Sequence, residues 1–128
     1  MYTILLVEDS PLIQAHLRTA LNNIDGAHVV EVAGCEQAAL RAIDTLNPDL
    51  AVIDLQLEQG SGLGILKRLI DEVPSHPTTR VVVFSNHANN LIKHRCLALG
   101  AHAFFDKSFQ LDDLVGFVDQ QASKQRNT

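Results

Sequence analysis

The chain has 128 residues, 46% of them hydrophobic, which is the size of one domain with a core that needs no staples. Its formal net charge is −5 and its Lys and Arg form no cluster, which argues against direct nucleic-acid binding, because phosphate contacts need grouped cations. The apolar runs are far too short for a membrane span, and Met1-Tyr2-Thr3 leads straight into Ile4-Leu5-Leu6-Val7 without the basic start of a secretory leader.

In chain order, short apolar runs at 4–7, 27–32, 50–53, 81–84 and 103–105 predict strands, several of them apolar on consecutive positions as in strands covered on both faces. Segments of helical spacing lie between them. Ile13, Leu17, Ala20, Leu21 and Ile24 share one stripe, opened by Ser10 as a cap and Pro11 at the first helical position. Ala39, Ala42, Ile43 and Leu46 form the next, stopped by Asn47-Pro48. Leu66, Leu69, Ile70 and Val73 precede Pro74. Ala88, Ile92, Cys96 and Leu99 end at Gly100, a C-terminal cap residue. Leu111, Leu114, Val115 and Val118 give the last stripe. This alternation predicts an α/β fold, a doubly wound parallel sheet with helices on both faces. The polar stretch 123–128 is expected to fray as a tail or the start of a linker, after a domain of 1–122. Cys35 and Cys96 stand in no metal-ligand spacing, and two reduced thiols in the cytoplasm are expected. The six histidines are scattered and suggest no metal site.

Open parallel sheets bind ligands at the carboxyl ends of their strands. There the chain places Glu8 and Asp9 after the first strand, Asp54 after the third, Ser85 after the fourth and Asp106-Lys107 after the fifth. Each has a plain reading alone: Asp9 or Ser10 as a helix cap, Lys107 as a solvated cation. Together, the carboxylates of Glu8, Asp9 and Asp54 aimed at one crevice repel one another. Lys107 offsets part of that charge, and a bound cation would offset the rest. An oxygen-rich, half-open site suits Mg2+, which keeps some waters and shares a phosphate oxygen.

The motifs Leu5-Leu6-Val7-Glu8-Asp9-Ser10, Leu50-Ala51-Val52-Ile53-Asp54-Leu55, Val82-Val83-Phe84-Ser85 and Gly100-Ala101-His102-Ala103-Phe104-Phe105-Asp106-Lys107, in this order and spacing, resemble the receiver domain of two-component response regulators over about residues 3–122. The resemblance implies a five-stranded, flavodoxin-like sheet in the order 2-1-3-4-5. It implies that Asp54 accepts a phosphoryl group from a sensor histidine kinase or a histidine phosphotransfer protein. Mg2+ would be held by Glu8, Asp9, Asp54 and the backbone carbonyl of Gln56. Ser85 would hydrogen-bond a phosphoryl oxygen, and Lys107 would pair with the carboxylate and then with the phosphoryl group. Ser85 and Phe104 would form the switch, while Gln56, Asn86 and His87 would tune the lifetime of the acyl phosphate. The output face would be 88–122, meeting an unknown output protein or domain, with a homodimer left open. Such a chain assists its own phosphorylation and dephosphorylation and is otherwise not an enzyme.

Four positions depart from the family pattern. Ser108 follows the lysine where Pro is common, and a cis bond before a non-proline costs about 2.5–4 kcal/mol, so a trans peptide is expected. Glu58 replaces a frequent Pro, Asn86 replaces a small residue, and Phe104 lacks the hydroxyl of Tyr. Three other functions share parts of this pattern. A pseudo-receiver would bind proteins without being phosphorylated, but usually lacks an acid or the lysine. A flavodoxin-like cofactor binder needs a phosphate cradle where Glu8-Asp9 stands, and Gly60, Gly62 and Gly64 read better as turn residues. An aspartyl-phosphate hydrolase needs a second acid two residues after its nucleophile, where this chain has Gln56.

Overall fold

The computed structural model describes residues 1–71, 79–86 and 89–126. Val73, Pro74, His87 and Ala88, and the side chain of Ile70, therefore lie outside the described residues. Strands and helices alternate throughout: β1 (Tyr2–Val7), α1 (Pro11–Asn22), β2 (Ala27–Ala33), α2 (Glu36–Leu46), β3 (Leu50–Ile53), α3 (Gly62–Asp71), β4 (Arg80–Ser85), α4 (Asn90–Ala98), β5 (Ala103–Asp106) and α5 (Leu111–Arg126). The five strands form one sheet in the order β2-β1-β3-β4-β5, with every neighbouring pair parallel.

The alternation of side chains along a strand divides the core in two. Ile4, Leu6, Val52, Val82 and Phe84 face Leu17 and Leu21 of α1 and Leu114, Val118 and Ala122 of α5. Leu5, Val7, Ala51, Ile53, Val81 and Val83 face Ala39 and Ile43 of α2, Ile65 and Leu66 of α3, and Cys96 of α4. Strands covered on both sides explain why their sequences are apolar almost without interruption.

Local chemistry sets the helix ends. Ser10 accepts a hydrogen bond from the Ile13 amide with Pro11 at the first position. Asn47 adopts the left-handed region at φ 45 after α2, and Gly100 does so at φ 102 beyond α4. α4 begins at Asn90 beneath an Asn89 cap that accepts from the Ile92 amide at 2.9 Å. Of the polar stretch 123–128, residues 123–126 continue α5, which is helical to Arg126. Ala122 is fully buried in the core, and the Arg126 guanidinium donates to the Asp25 carbonyl and lies 3.9 Å from the Asp25 and Asp119 carboxylates. No peptide bond among the described residues is cis, as expected for Lys107-Ser108. None of the helices described is long and apolar enough to cross a membrane.

Candidate functional site

The sheet register brings the strand tips to one edge. Val7 is level with Ile53, Ile53 with Val83, and Ser85 with Asp106, so Glu8, Asp54, Ser85 and Lys107 emerge side by side. Lys107 Nζ lies 2.5 Å from Glu8 Oε2 and 2.9 Å from Asp54 Oδ2, and the two acids are nearly buried.

Backbone groups fix each member. The Ser10 amide donates to Glu8 Oε1 at 3.1 Å, and Gln14 Nε2 donates to the Glu8 carbonyl. The Asp54 amide donates to the Val7 carbonyl at 3.0 Å, and the Gln56 amide reaches Asp54 Oδ1 at 3.3 Å. Asp9 Oδ2 accepts from the Glu58 amide at 2.6 Å. The Lys107 amide donates to the Ser85 carbonyl at 3.2 Å. Asp106 serves the turn rather than the cleft: its Oδ1 accepts from the Ser108 amide at 2.7 Å, and its amide donates to Gln110 Oε1 at 2.8 Å.

The charges are coupled. Burial disfavours the Lys107 ammonium, but its hydrogen bonds to Glu8 and Asp54 outweigh that, and its pKa lies above the ordinary lysine value. Burial pushes the Glu8 carboxyl upward, against the opposing pull of Lys107 and the Ser10 amide. Glu8 is thus an acid whose ionised form needs more positive charge than one ammonium provides.

The cleft encloses about 440 Å³ and is lined by Glu8, Asp9, Asp54, Gln56, Ser85, Asn86 and Lys107, with Ser10, Ile13, Leu57 and Glu58. Phe104 lies outside it, half-buried on β5 against the α2–α4 side of the core, with Lys93 Nζ 5.7 Å from its ring centre. Ser108 Oγ hydrogen-bonds Asn86 Oδ1 at 3.3 Å, so two of the unusual positions bridge neighbouring loops. Of the three glycines expected in turns, Gly60 lies in the loop at φ 87, whereas Gly62 and Gly64 stand in the first turn of α3, where a Cβ at Gly62 would come within 2.5 Å of the Asp54 carbonyl oxygen. Sequence reasoning missed the amides of Ser10 and Glu58, since a backbone donor leaves no mark on residue type.

One oxygen from each of Glu8, Asp9 and Asp54 lies within 4.8 Å of the others. Oxygens around Mg2+ at about 2.1 Å from the ion stand roughly 3–4 Å apart, so a small side-chain adjustment closes this set around a cation. The donors are all oxygen, the cleft is open to water, and the surplus charge is negative; these residues fit Mg2+.

Residues 4–119 match the family described as response regulator receiver domain. The chain is 34% identical over 111 residues to the two-component response regulator PhoP of Pseudomonas aeruginosa, covering 87% of this chain and 47% of that protein. It is 27% identical over 126 residues to the response regulator GacA of the same organism, covering 98% and 58%. The chain thus spans about half the length of these curated relatives. In fold it resembles the signal receiver domain of a DNA-binding response regulator from Colwellia psychrerythraea, with a TM-score of 0.86 at 22% identity over 96% of this chain and 99% of that one. The sheet order, the acid–lysine cleft at its carboxyl edge and these relatives agree, and the chain belongs to the response regulator receiver domain family.

Proposed function

We propose that Asp54 accepts a phosphoryl group from a phosphohistidine on a sensor histidine kinase or phosphotransfer protein, and that the chain passes the signal on as a conformational switch. The observation that carries this reading is Lys107 Nζ bridging Glu8 and Asp54 with Asp9 alongside, at the mouth of an open cleft. The Asp54 carboxylate attacks phosphorus, the bond from phosphorus to the imidazole nitrogen breaks, and that nitrogen leaves with its electron pair. Such a transfer asks the protein for in-line placement and charge stabilisation. Mg2+, held by Glu8, Asp9, Asp54 and the carbonyl of Gln56, would supply positive charge to the transferring oxygens. Lys107 pairs with the Asp54 carboxylate and then faces the new phosphoryl group. Ser85, at the tip of β4, donates its hydroxyl to a phosphoryl oxygen.

The acyl phosphate adds charge and acceptor oxygens that draw Ser85 and Lys107 inward. Moving a two-state equilibrium from 1:99 to 99:1 takes about 5.5 kcal/mol, which a few charge-assisted hydrogen bonds of about 1.5–3 kcal/mol each can supply. Phe104 would report the change by packing alone, passing it to the 88–122 face and to an output protein or domain. Gln56, Asn86 and His87 would set the lifetime of the phosphorylated state. The chain acts on its own phosphoryl group and on no other substrate. Its unbridged Cys35 and Cys96 suit the reducing cytoplasm.

Mass spectrometry after incubation with a small-molecule phosphodonor and Mg2+ tests this. The wild type should gain one phosphoryl group. Asp54→Asn should gain none while keeping its circular dichroism, and a chelator should stop labelling of the wild type. Labelling of Asp54→Asn, or labelling undiminished in chelator, sinks the reading. A folded wild type that never labels would point instead to a pseudo-receiver that only binds proteins.

A further inference from the structure

We propose that Glu36, outside the cleft at the start of α2, is a positioning residue that anchors the loop after Asp54 and thereby holds Asp9 in place for the cation. The inference rests on the function proposed above for Asp54 and its metal site.

After β3 the chain closes a tight loop. The Gly62 amide donates to the Leu55 carbonyl at 3.1 Å, and Gln56 pairs with Ser61 in an antiparallel bridge. Glu36 grips the far end of this loop twice. Its Oε1 accepts from the Ser61 amide at 2.8 Å, and its own amide donates to the Gln59 carbonyl at 3.2 Å. Ser61 in turn caps α3, its Oγ accepting from the Gly64 amide at 3.0 Å. Two glycines make room for the Glu36 side chain: a Cβ at Gly64 would stand 2.4 Å from Glu36 Oε1, and one at Gly60, where φ is 87, would stand 2.4 Å from Glu36 Cβ.

The near end of the loop is held from inside the cleft, where the Glu58 amide donates to Asp9 Oδ2. The loop is thus suspended between two carboxylates, and only Asp9 is a candidate cation ligand. The Glu58 amide and a cation call on the same Asp9 carboxylate. With the loop pinned at Glu36, that amide is fixed and steers Asp9 toward Glu8 and Asp54. With the pin removed, Asp9 follows a loose loop and the ligand set must be reassembled at each binding event. Loss of such outer support typically lowers metal affinity.

The test titrates Mg2+ alone into wild type, Glu36→Ala, Glu36→Gln and Gly64→Ala by calorimetry, with amide hydrogen exchange of Glu58 and Ser61 followed by NMR. Gly64→Ala evicts the carboxylate from the other side, and because alanine favours a helix over glycine it guards against misfolding of the first variant. The dissociation constant for Mg2+ should rise about ten-fold in Glu36→Ala and Gly64→Ala, with faster exchange at Ser61 and Glu58. Glu36→Gln keeps an acceptor for the Ser61 amide and should stay near wild type; if it behaves like Glu36→Ala, the charge at the start of α2 is responsible and the anchoring role is overturned. Wild-type affinity in the two disrupting variants, or unchanged exchange at Ser61, overturns it as well. A wild type that binds Mg2+ and labels on Asp54 while the variants do the same refutes this inference alone. A wild type that binds no Mg2+ removes the proposed function with it.

Discussion

The two rims of the sheet both carry acids at strand ends, yet they are built for opposite purposes. At the amino rim, Asp49 Oδ2 accepts from the Thr3 amide at 2.9 Å, the Thr3 hydroxyl at 3.1 Å and Gln125 Nε2 at 3.4 Å. One carboxylate is surrounded by neutral donors and ties β1, β3 and α5 together. At the carboxyl rim, Glu8, Asp9 and Asp54 crowd together with Lys107 bridging two of them. Three carboxylates against one ammonium leave two negative charges uncompensated in a partly buried place. An acid at a strand end is therefore not itself a site; the mismatch between carboxylates and cations is what sets the carboxyl rim apart and suits it to the divalent ion of the proposed function.

Substitutions at the two rims should separate the roles. The largest effect is expected for Lys107→Ala, which leaves Glu8 and Asp54 facing each other unpaired. Breaking a buried ion pair from one side costs about 3–5 kcal/mol, and urea unfolding should show most of that loss. Added Mg2+ should restore part of it, and no response to Mg2+ would break the comparison. Lys107 is held above the usual ammonium value, so its stabilising contribution is complete at neutral pH and declines only as pH rises through the alkaline lysine range.

Asp49→Ala comes next. It strands the Thr3 amide and hydroxyl and should cost about 1–3 kcal/mol, while phosphodonor labelling of Asp54 stays at the wild-type level. Loss of labelling there would mean that the rims are coupled. The smallest effect is spectroscopic. Tyr2 is the single tyrosine and there is no tryptophan. Burial, helped by the charge of Asp49, pushes its hydroxyl up from 10.0 to about 12. The unfolded chain releases this proton first, so stability should fall as pH climbs from about 10 toward 12. Phenolate absorbance with a midpoint near that of free tyrosine in the folded protein would contradict the burial of the amino rim.

Much of this was legible in the residue order. Apolar runs covered on both faces stand out against amphipathic helices, and Ser10-Pro11, Asn47 and Gly100 mark helix ends because caps depend on neighbouring residues. The acids and Lys107 could be placed at one edge because parallel strands all present their carboxyl ends together. What stayed hidden depends on distant backbone. Glu58 meets Asp9 through an amide that any residue but proline would offer. Glu36 looks like an ordinary acid in the first turn of α2 until Ser61, Gly60 and Gly64 are folded against it. The last turn of α5 looked like a polar tail because its hold is Ala122 in the core and Arg126 on the loop at Asp25, contacts that no local pattern announces.

The position of β5 at the sheet edge also has a consequence for biosynthesis. Glu8, Asp9 and Asp54 leave the ribosome well before Lys107, whose strand is the last of the described strands and, among the described residues, pairs with β4 alone. Domains fold as units during synthesis, and here the like charges of the nascent sheet gain their covalently attached counter-ion only at its final step. Under the function proposed for Asp54, competence to be labelled would arrive only once β5 has joined the sheet, and a shorter nascent chain would stay silent to a phosphodonor.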